Sequence, residues 1–218
     1  TISAPGVNVV LTGTTGPAVK GDLTITDSAS VAVTSSAAGA QAVTGSTDIT
    51  SDGAVSITGT DRAVGGENLT VNAGSDVTIT GGTTSQPTIN DATVRCGGEF
   101  ELRNPAGGLV LCNETSDGKS GNLHYYNTGA TELVFRASSM GATCDVFQPG
   151  DSTVFGTLGN PSWITAKHEQ GYQLTLTGCA PADSAQGRTV FYPGEEVHLV
   201  LKRPANGTTF TGWTVTKE

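Results

Sequence analysis

The segments VAVT at residues 31–34, VSIT at 55–58, VTIT at 77–80 and FELR at 100–103 decide the fold, because they repeat one pattern at a regular spacing. An earlier copy is VVLT at 9–12. The second apolar residues of the five segments follow one another at steps of 22, 24, 22 and 23 residues; they are Leu11, Val33, Ile57, Ile79 and Leu102. A repeat of this length predicts stacked structural units.

Two further apolar tracks run through the same repeats. One consists of Ile25, Ile49, Val71 and Val94. Each of these lies eight residues before the second apolar residue of one of the last four segments. The other consists of Val19, Val43, Val64 and Ile89. Three short strands in each repeat predict an all-β chain that begins with a short parallel β-helix of about five turns. This part resembles the solenoid of pectin-lyase-like proteins.

The strands alternate between apolar and small polar residues. Because neighbouring side chains of a strand face opposite sides, Val31 and Val33 are predicted to point inward, and Ala32 and Thr34 outward. Glycine-rich bends separate the strands. An antiparallel sandwich also has short strands with regular turns, but here the residues repeat in kind as well as in spacing. The last strand leaves an open edge that needs a cap.

The composition fits a solenoid better than a two-layer globule. Of the 218 residues, 36% are hydrophobic and 14% are charged, and the net charge is −9. A thin apolar stripe shared between turns suffices for a solenoid core. Without a basic stripe we expect no nucleic-acid partner, and without an apolar run of roughly 18 residues we expect no membrane insertion. No signal peptide is visible, and the opening at Thr1 within a strand pattern indicates a fragment of a longer, processed protein.

The aromatic residues are confined to the later part of the chain, where Phe100 is the first of them. All four cysteines also lie there. This shift predicts three parts: β-helix repeats at 1–112, a β-rich cap or connecting region at 113–166, and a separate unit at 167–218. In the second part the repeat is lost, and short strands are predicted at 123–126, 133–135, 145–147 and 153–155.

The third part carries a motif of aromatic, glycine and proline residues. It reads G-Y-x-L-x-L at 171–176, Y-P-G-E-x-V-x-L at 192–199 and P-x-x-G-x-x-F-x-G-W-x-V at 204–215. These residues resemble the divergent InlB-type B repeat of bacterial surface proteins. The resemblance implies a small extracellular β-grasp-like module, one of a chain of modules, without catalytic residues. Cys179 and residues 180–186 depart from the short glycine-rich turn of that family.

Three aromatic residues are the candidate ligand contacts: Tyr125, Tyr126 and Trp163. Aromatic rings in clusters or loops can stack on a sugar ring. Packing within the cap is the interpretation that we favour for the same residues. No catalytic, cofactor-binding or metal-binding residue is predicted, and no cofactor is expected.

Acidic and histidine residues do not form a recognisable site in the sequence. The acidic residues of the repeats are scattered singly, and Asp48 and Glu101 stand at outward positions of different tracks. This spacing predicts neither a calcium loop nor the paired acids of a polysaccharide lyase or hydrolase. The three histidines, His124, His168 and His198, lack metal-ligand spacing.

The cysteines have no C-x-x-C spacing, which argues against a zinc site. Four cysteines allow three full pairings, which involve Cys96, Cys112, Cys144 and Cys179. In an exported protein, a bridge between Cys96 and Cys112 is the first expectation. Buried free thiols are the alternative, because cysteine also packs as a small hydrophobe.

The sequence therefore predicts a non-enzymatic structural or adhesive module of a secreted or cell-wall bacterial protein. Its partner would be a protein or a glycan at the cell surface. The alternative is a carbohydrate-binding β-helix, with or without the help of calcium. A polysaccharide lyase or hydrolase is the third hypothesis, which the lack of an acid cluster disfavours.

Overall fold

The structure, a computed structural model, divides into two compact units, Thr1–His168 and Glu169–Glu218. The division lies beside residue 167, where the sequence predicts its third part to begin. Every element of the described residues is a β-strand. The structure describes residues 1–112, 121–129, 133–148, 153–168, 172–176, 178–181, 190–191 and 197–201.

The first unit is built on a parallel β-solenoid of about four turns. The strands of its first ladder are β1 (Ile2–Ser3), β3 (Leu23–Ser28), β5 (Thr47–Ser51), β7 (Asn68–Ala73), β9 (Asp91–Cys96) and β11 (Asn122–Asn127). The strands of its second ladder are β2 (Asn8–Gly13), β4 (Ser30–Ser35), β6 (Val55–Thr58), β8 (Val77–Thr80) and β10 (Phe100–Arg103). The predicted architecture is confirmed, and the first ladder continues to β11, beyond residue 112.

The predicted stacking of like residues is also confirmed. In the second ladder one column runs through consecutive strands, namely Leu11, Val33, Ile57, Ile79 and Leu102. The first ladder pairs its own track in the same way, through Ile25, Ile49, Val71 and Val94. Isolated bridges form the third side and join Val19, Val43 and Val64, and then Ile89 and Leu111. The inner residues of the middle turns are fully buried, so the turns share one core.

The glycines at the bends serve close stacking of backbone on backbone. A Cβ atom at Gly53 would collide with the carbonyl oxygen of Ala29, and one at Gly74 with that of Asp52, in the turn before each. Neither glycine has a positive φ. Turn conformation alone does not explain these two glycines; the small distance between neighbouring turns does.

A long hairpin follows the solenoid in place of the short strands predicted between residues 133 and 168. Its strands, β12 (Leu133–Gln148) and β13 (Thr153–His168), are 16 residues each and pair antiparallel. The register shifts between Ser138 and Ser139, between Ser139 and Ala142, and between Asp145 and Phe147. Such bulges let a strand continue through residues that normally interrupt it, including Pro161.

This hairpin closes both ladders at the same end of the solenoid. Strand β12 pairs with β11 in parallel, and β13 pairs with β10 antiparallel. On β13 the buried residues Ile164 and Ala166 lie opposite Leu102 and Phe100 and extend the inner columns by one strand. The open edge expected from the sequence is therefore covered, and no part of β10 remains for pairing with another chain.

Asn104 connects two loops of the solenoid, the one between β8 and β9 and the one between β10 and β11. Its side chain is buried, and Nδ2 donates hydrogen bonds to the carbonyl oxygens of Thr83, Gln86 and Leu109 at 3.0, 3.2 and 2.9 Å. Its Oδ1 accepts a hydrogen bond from the backbone N–H of Ala106 at 3.0 Å. The amide thus pairs with polar groups of both loops, and for Gln86 and Leu109 it adds to the backbone N–H donor that each oxygen already has.

We expect Asn104→Ala to lower the free energy of unfolding of the first unit by about 1–3 kcal/mol, because the Thr83 carbonyl oxygen loses its donor and the Ala106 N–H loses its acceptor. Urea denaturation followed by circular dichroism measures this loss. The matched control is Asn72→Ala, an exposed asparagine on the outer face of β7, for which a change within about 0.5 kcal/mol is expected. Equal losses in the two variants would contradict the role assigned to Asn104.

The second unit contains two short antiparallel pairs within its described residues. Strand β14 (Tyr172–Gln173) pairs with β16 (Val190–Phe191), and β15 (Cys179–Pro181) pairs with β17 (Leu199–Leu201). Most residues that carry the resemblance to the B repeat, at 192–195 and 204–215, lie outside the described residues. The β-grasp-like module therefore stays a prediction.

Candidate functional site

Tyr125 and Tyr126 are neighbours on β11 and face opposite sides. Tyr125 points inward, is fully buried, and stacks on Phe100 with 5.4 Å between ring centroids and 28° between ring planes. A buried ring cannot contact a ligand at the surface, so Tyr125 is not a ligand contact. Packing, the favoured interpretation, describes its position.

Tyr126 points outward and is half-buried. The guanidinium carbon of Arg95, the residue opposite it on β9, lies 4.1 Å from the centroid of its ring. This is the geometry of a cation–π contact, which occupies one face of the ring. A sugar could stack only on the other face.

Trp163, 36% exposed, lies on β13 in register with Arg103 of β10 and Ser138 of β12. It therefore continues the second ladder, whereas Tyr126 continues the first. The structure places the two outward aromatic residues on different sides of the solenoid. They do not form one aromatic platform.

The Cys96 thiol is buried beside Tyr125. Its sulfur donates to the backbone oxygen of Ser75 at 3.1 Å, and Cys96 is a free cysteine. The expected bridge between Cys96 and Cys112 is therefore not formed in this structure. Cys179 is also a buried free cysteine, and the side chain of Cys144 lies outside the described residues.

Burial changes the acidity of the two neighbouring groups in the same direction. It raises the pKa of the Cys96 thiol, although a hydrogen bond with the backbone of Gly98 partly offsets the rise. Burial also raises the pKa of the Tyr125 hydroxyl, and the adjacent Cys96 thiol adds to the effect. Among the described residues, the Tyr125 oxygen has no well-formed hydrogen bond. Both groups are therefore neutral in the folded protein at neutral pH.

These raised pKa values predict that alkali destabilises the first unit. The folded state holds both protons at a pH where the unfolded chain releases them, so stability is fully present below about pH 8 and falls as the pH rises above about 9. Urea denaturation between pH 7 and 11 measures the decline. Tyr125→Phe should make it shallower, whereas Tyr126→Phe, on the outward face, should keep it. Identical declines in the two variants would contradict the prediction.

The acidic residues at outward positions do not converge. Asp48 lies on β5 of the first ladder between Thr24 and Thr70. Glu101 lies on β10 of the second ladder, where its Oε1 is 3.9 Å from Nη1 of Arg103. An acid–base pair for glycoside chemistry needs two carboxyl groups facing one substrate, and these two face different sides.

The three histidines belong to different segments of the chain. His124 is exposed on β11, His198 is exposed in the second unit, and the side chain of His168 lies outside the described residues. Within the ranges that the structure describes, no three His, Cys, Asp or Glu residues are grouped to hold a metal ion.

A polar groove crosses the outer face of the first ladder at β7, β9 and β11. It has a volume of about 260 Å³, and it is also lined by Leu69 and Ala92, which are buried on the inner side of the ladder. Because the three strands pair in register, the side chains that line the groove lie in rows across the strands. The outward side chains that line it are Asn68, Thr70, Asp91, Thr93, Asn122 and His124, and we call these six residues the ladder groove.

The sequence analysis did not predict the ladder groove, although one signal for it was present. The row of Asn68, Asp91 and Asn122 is not such a signal, because Asp22 and Ser46 hold the same place in the earlier turns. The step along the chain from Asp91 to Asn122 is 31 residues, longer than the 22 to 24 of the regular repeat. An interruption of a repeat often accompanies a functional insertion on one face of a solenoid.

No protein-family model, no curated protein and no solved structure matches this chain. The fold and the groove therefore have to be interpreted from their own residues. Among the described residues, no helix is long and apolar enough to span a membrane.

Proposed function

We propose that the chain is a non-enzymatic structural or adhesive module of a secreted or cell-wall bacterial protein. The observation that carries the proposal is the solenoid itself, with inner columns filled from turn to turn and its last edge closed by a hairpin. Such a stack is stiff along its axis, because each turn is hydrogen-bonded and packed against the next. A stiff stack suits a stalk that displays other parts of a protein.

The outer faces and the overall charge support the same proposal. Outward residues such as Thr34, Thr58 and Thr80 are short and polar, and they stand in register on consecutive strands. A net charge of −9 keeps such a rod soluble and apart from other acidic surfaces. The resemblance of residues 167–218 to a B repeat adds a module of the kind found at bacterial surfaces.

Fractionation of the source cells tests this proposal. An antibody raised against the chain should detect it in the culture medium or the wall fraction, and protease added to intact cells should remove the signal. A signal found only in the cytoplasm, and protected from external protease, would overturn the proposal.

The ladder groove favours a second candidate function, carbohydrate binding. The polar side chains that line this concavity can donate hydrogen bonds to a small polar ligand and accept them from it. A polysaccharide array, probed with and without a calcium chelator, tests this candidate. Failure to bind any glycan under either condition, together with an unchanged melting temperature in calcium, would exclude it.

A further inference from the structure

We infer that the ladder groove binds one uncharged hexopyranose unit of a glycan. This inference rests on the second candidate function and adds to it the site, the size and the charge class of the ligand. It does not depend on where the protein is located.

The volume of the groove limits the size of the ligand. Pockets for drug-sized molecules have volumes of roughly 300–1,000 Å³. The ladder groove has about 260 Å³ and lies on three adjacent strands. Because neighbouring strands are about 4.8 Å apart, its length is on the order of 10 Å. One sugar ring fits this space, and a longer glycan would extend along the outer face.

The side chains of the groove match a polyol in hydrogen bonding. Two amides, from Asn68 and Asn122, supply donors and acceptors, and the hydroxyls of Thr70 and Thr93 supply both. Within the described part of the chain, none of these four side chains makes a hydrogen bond to the protein. Each sugar hydroxyl also donates and accepts, so it can pair with any of them.

The carboxylate of Asp91 is held at one of its oxygens by the backbone of the next turn, as the carboxylates of Asp22 and Asp76 are elsewhere in the solenoid. Its Oδ1 accepts a hydrogen bond of 2.7 Å from the backbone N–H of Asn122, and this bond links β9 to the strand that follows the long insertion. A carboxylate that accepts from sugar hydroxyls forms charge-assisted hydrogen bonds, which are stronger than neutral ones. Because one of its oxygens is already held, the Asp91 side chain loses less entropy on binding.

The charge of the groove selects against acidic sugars. Asp91 carries a negative charge, and no Lys or Arg lines the groove. The net charge of −9 adds a repulsive field around it. A uronate would bring a second carboxylate next to Asp91 with no Lys or Arg beside them, whereas a neutral hexose meets no such repulsion. An apolar ligand would leave the polar lining without partners.

Nuclear magnetic resonance titration of the full isotope-labelled chain tests this site. The probes are methyl β-glucoside, methyl β-galactoside and N-acetylglucosamine as neutral sugars, and galacturonate as the acidic one. We expect at least one neutral sugar to shift the amide signals of β7, β9 and β11 with millimolar affinity. Galacturonate should bind about tenfold more weakly or worse.

Variants distinguish the contribution of hydrogen bonding to sugar affinity from the contribution of charge. Asn68→Ala should weaken neutral-sugar binding by about fivefold to tenfold, and Asp91→Ala by about tenfold or more. Asp91→Asn keeps an acceptor for the N–H of Asn122 but removes the charge. It should therefore reduce the difference in affinity between galacturonate and the neutral sugars. The matched control is Thr78→Ala, on the outer face of the second ladder. It should leave the affinity for every sugar unchanged.

Several results would overturn the inference. They are a lack of signal shifts with all three neutral sugars, shifts confined to the region of Trp163, equal binding of galacturonate by the unchanged protein, or full binding by Asp91→Ala. Circular dichroism of each variant shows whether it is folded, and Asp91→Asn serves as the test if Asp91→Ala unfolds. A cytoplasmic location would refute the surface proposal and leave this binding result intact.

Discussion

Replacing Ile57 by aspartate is expected to lower the free energy of unfolding of the first unit by more than about 4 kcal/mol. Ile57 is fully buried, with Val33 and Ile79 beside it in the neighbouring turns. A carboxylate at this position would lose its hydration and find only apolar side chains around it. Because the turns share one core, the cost falls on the whole stack and not on a single turn.

Thermal and urea denaturation, followed by circular dichroism, measure the effect of Ile57→Asp. For a unit of this size, a loss of that magnitude corresponds to a melting temperature lower by roughly 8–16 °C. The matched control is Ser56→Asp, which places the same charge one residue earlier on the outward face, between Ala32 and Thr78. Its expected change is within about 1 kcal/mol. Little loss of melting temperature in Ile57→Asp would contradict the stacked inner column.

Phe100→Ala is expected to cost about 3–5 kcal/mol, the second-largest effect. The ring of Phe100 is fully buried in β10, between Val77 of the preceding turn and Ala166 of the hairpin, and it stacks on Tyr125. Alanine would leave a cavity where the two ladders and the hairpin meet. Since the hairpin closes the solenoid at this point, both would lose packing together.

Two variants control for the loss in Phe100→Ala. Phe100→Leu keeps most of the apolar volume and should cost about 1–2 kcal/mol. Glu101→Ala removes an exposed side chain from the same strand and an ion pair of 3.9 Å to Arg103, which should change stability by less than about 1 kcal/mol. If Phe100→Ala unfolded at the same urea concentration as Glu101→Ala, the hairpin and the solenoid would not share a core.

The repeat made the solenoid predictable residue by residue. The spacing of Val33, Ile57 and Ile79 placed them in one column, and the structure pairs them as expected. The prediction succeeded because the alternation along a strand and the length of a turn both depend on residues that are close together in the sequence. Like residues then stack, since each turn presents the same surface to the next.

Prediction was weaker where the repeat ends. Proline and glycine between residues 133 and 168 indicated several short strands, yet two bulged strands of 16 residues form there, because pairing with the solenoid outweighs the local signals. The aromatic pair at 125–126 looked like one cluster, but strand alternation sends Tyr125 into the core and Tyr126 outward.

The ladder groove lies furthest from what a sequence shows. Its residues come from three strands, and the last of these follows an insertion that breaks the period. Asn68 and Asp91 are polar like Asp22 and Ser46 at the same place in the earlier turns, so neither alone indicates a concavity. Only the registered pairing of β7, β9 and β11 sets their side chains around one space.

The amino-acid sequence by itself determined the class of fold, the three inner tracks and the face of each strand that is buried. These follow from apolar alternation and a period that every turn repeats. The tertiary structure alone decided how the last edges are closed, which tyrosine is buried and where polar side chains gather into a groove. Those features depend on pairing between segments that are not periodic, such as β10 with β13 and β9 with β11, so no local pattern specifies them.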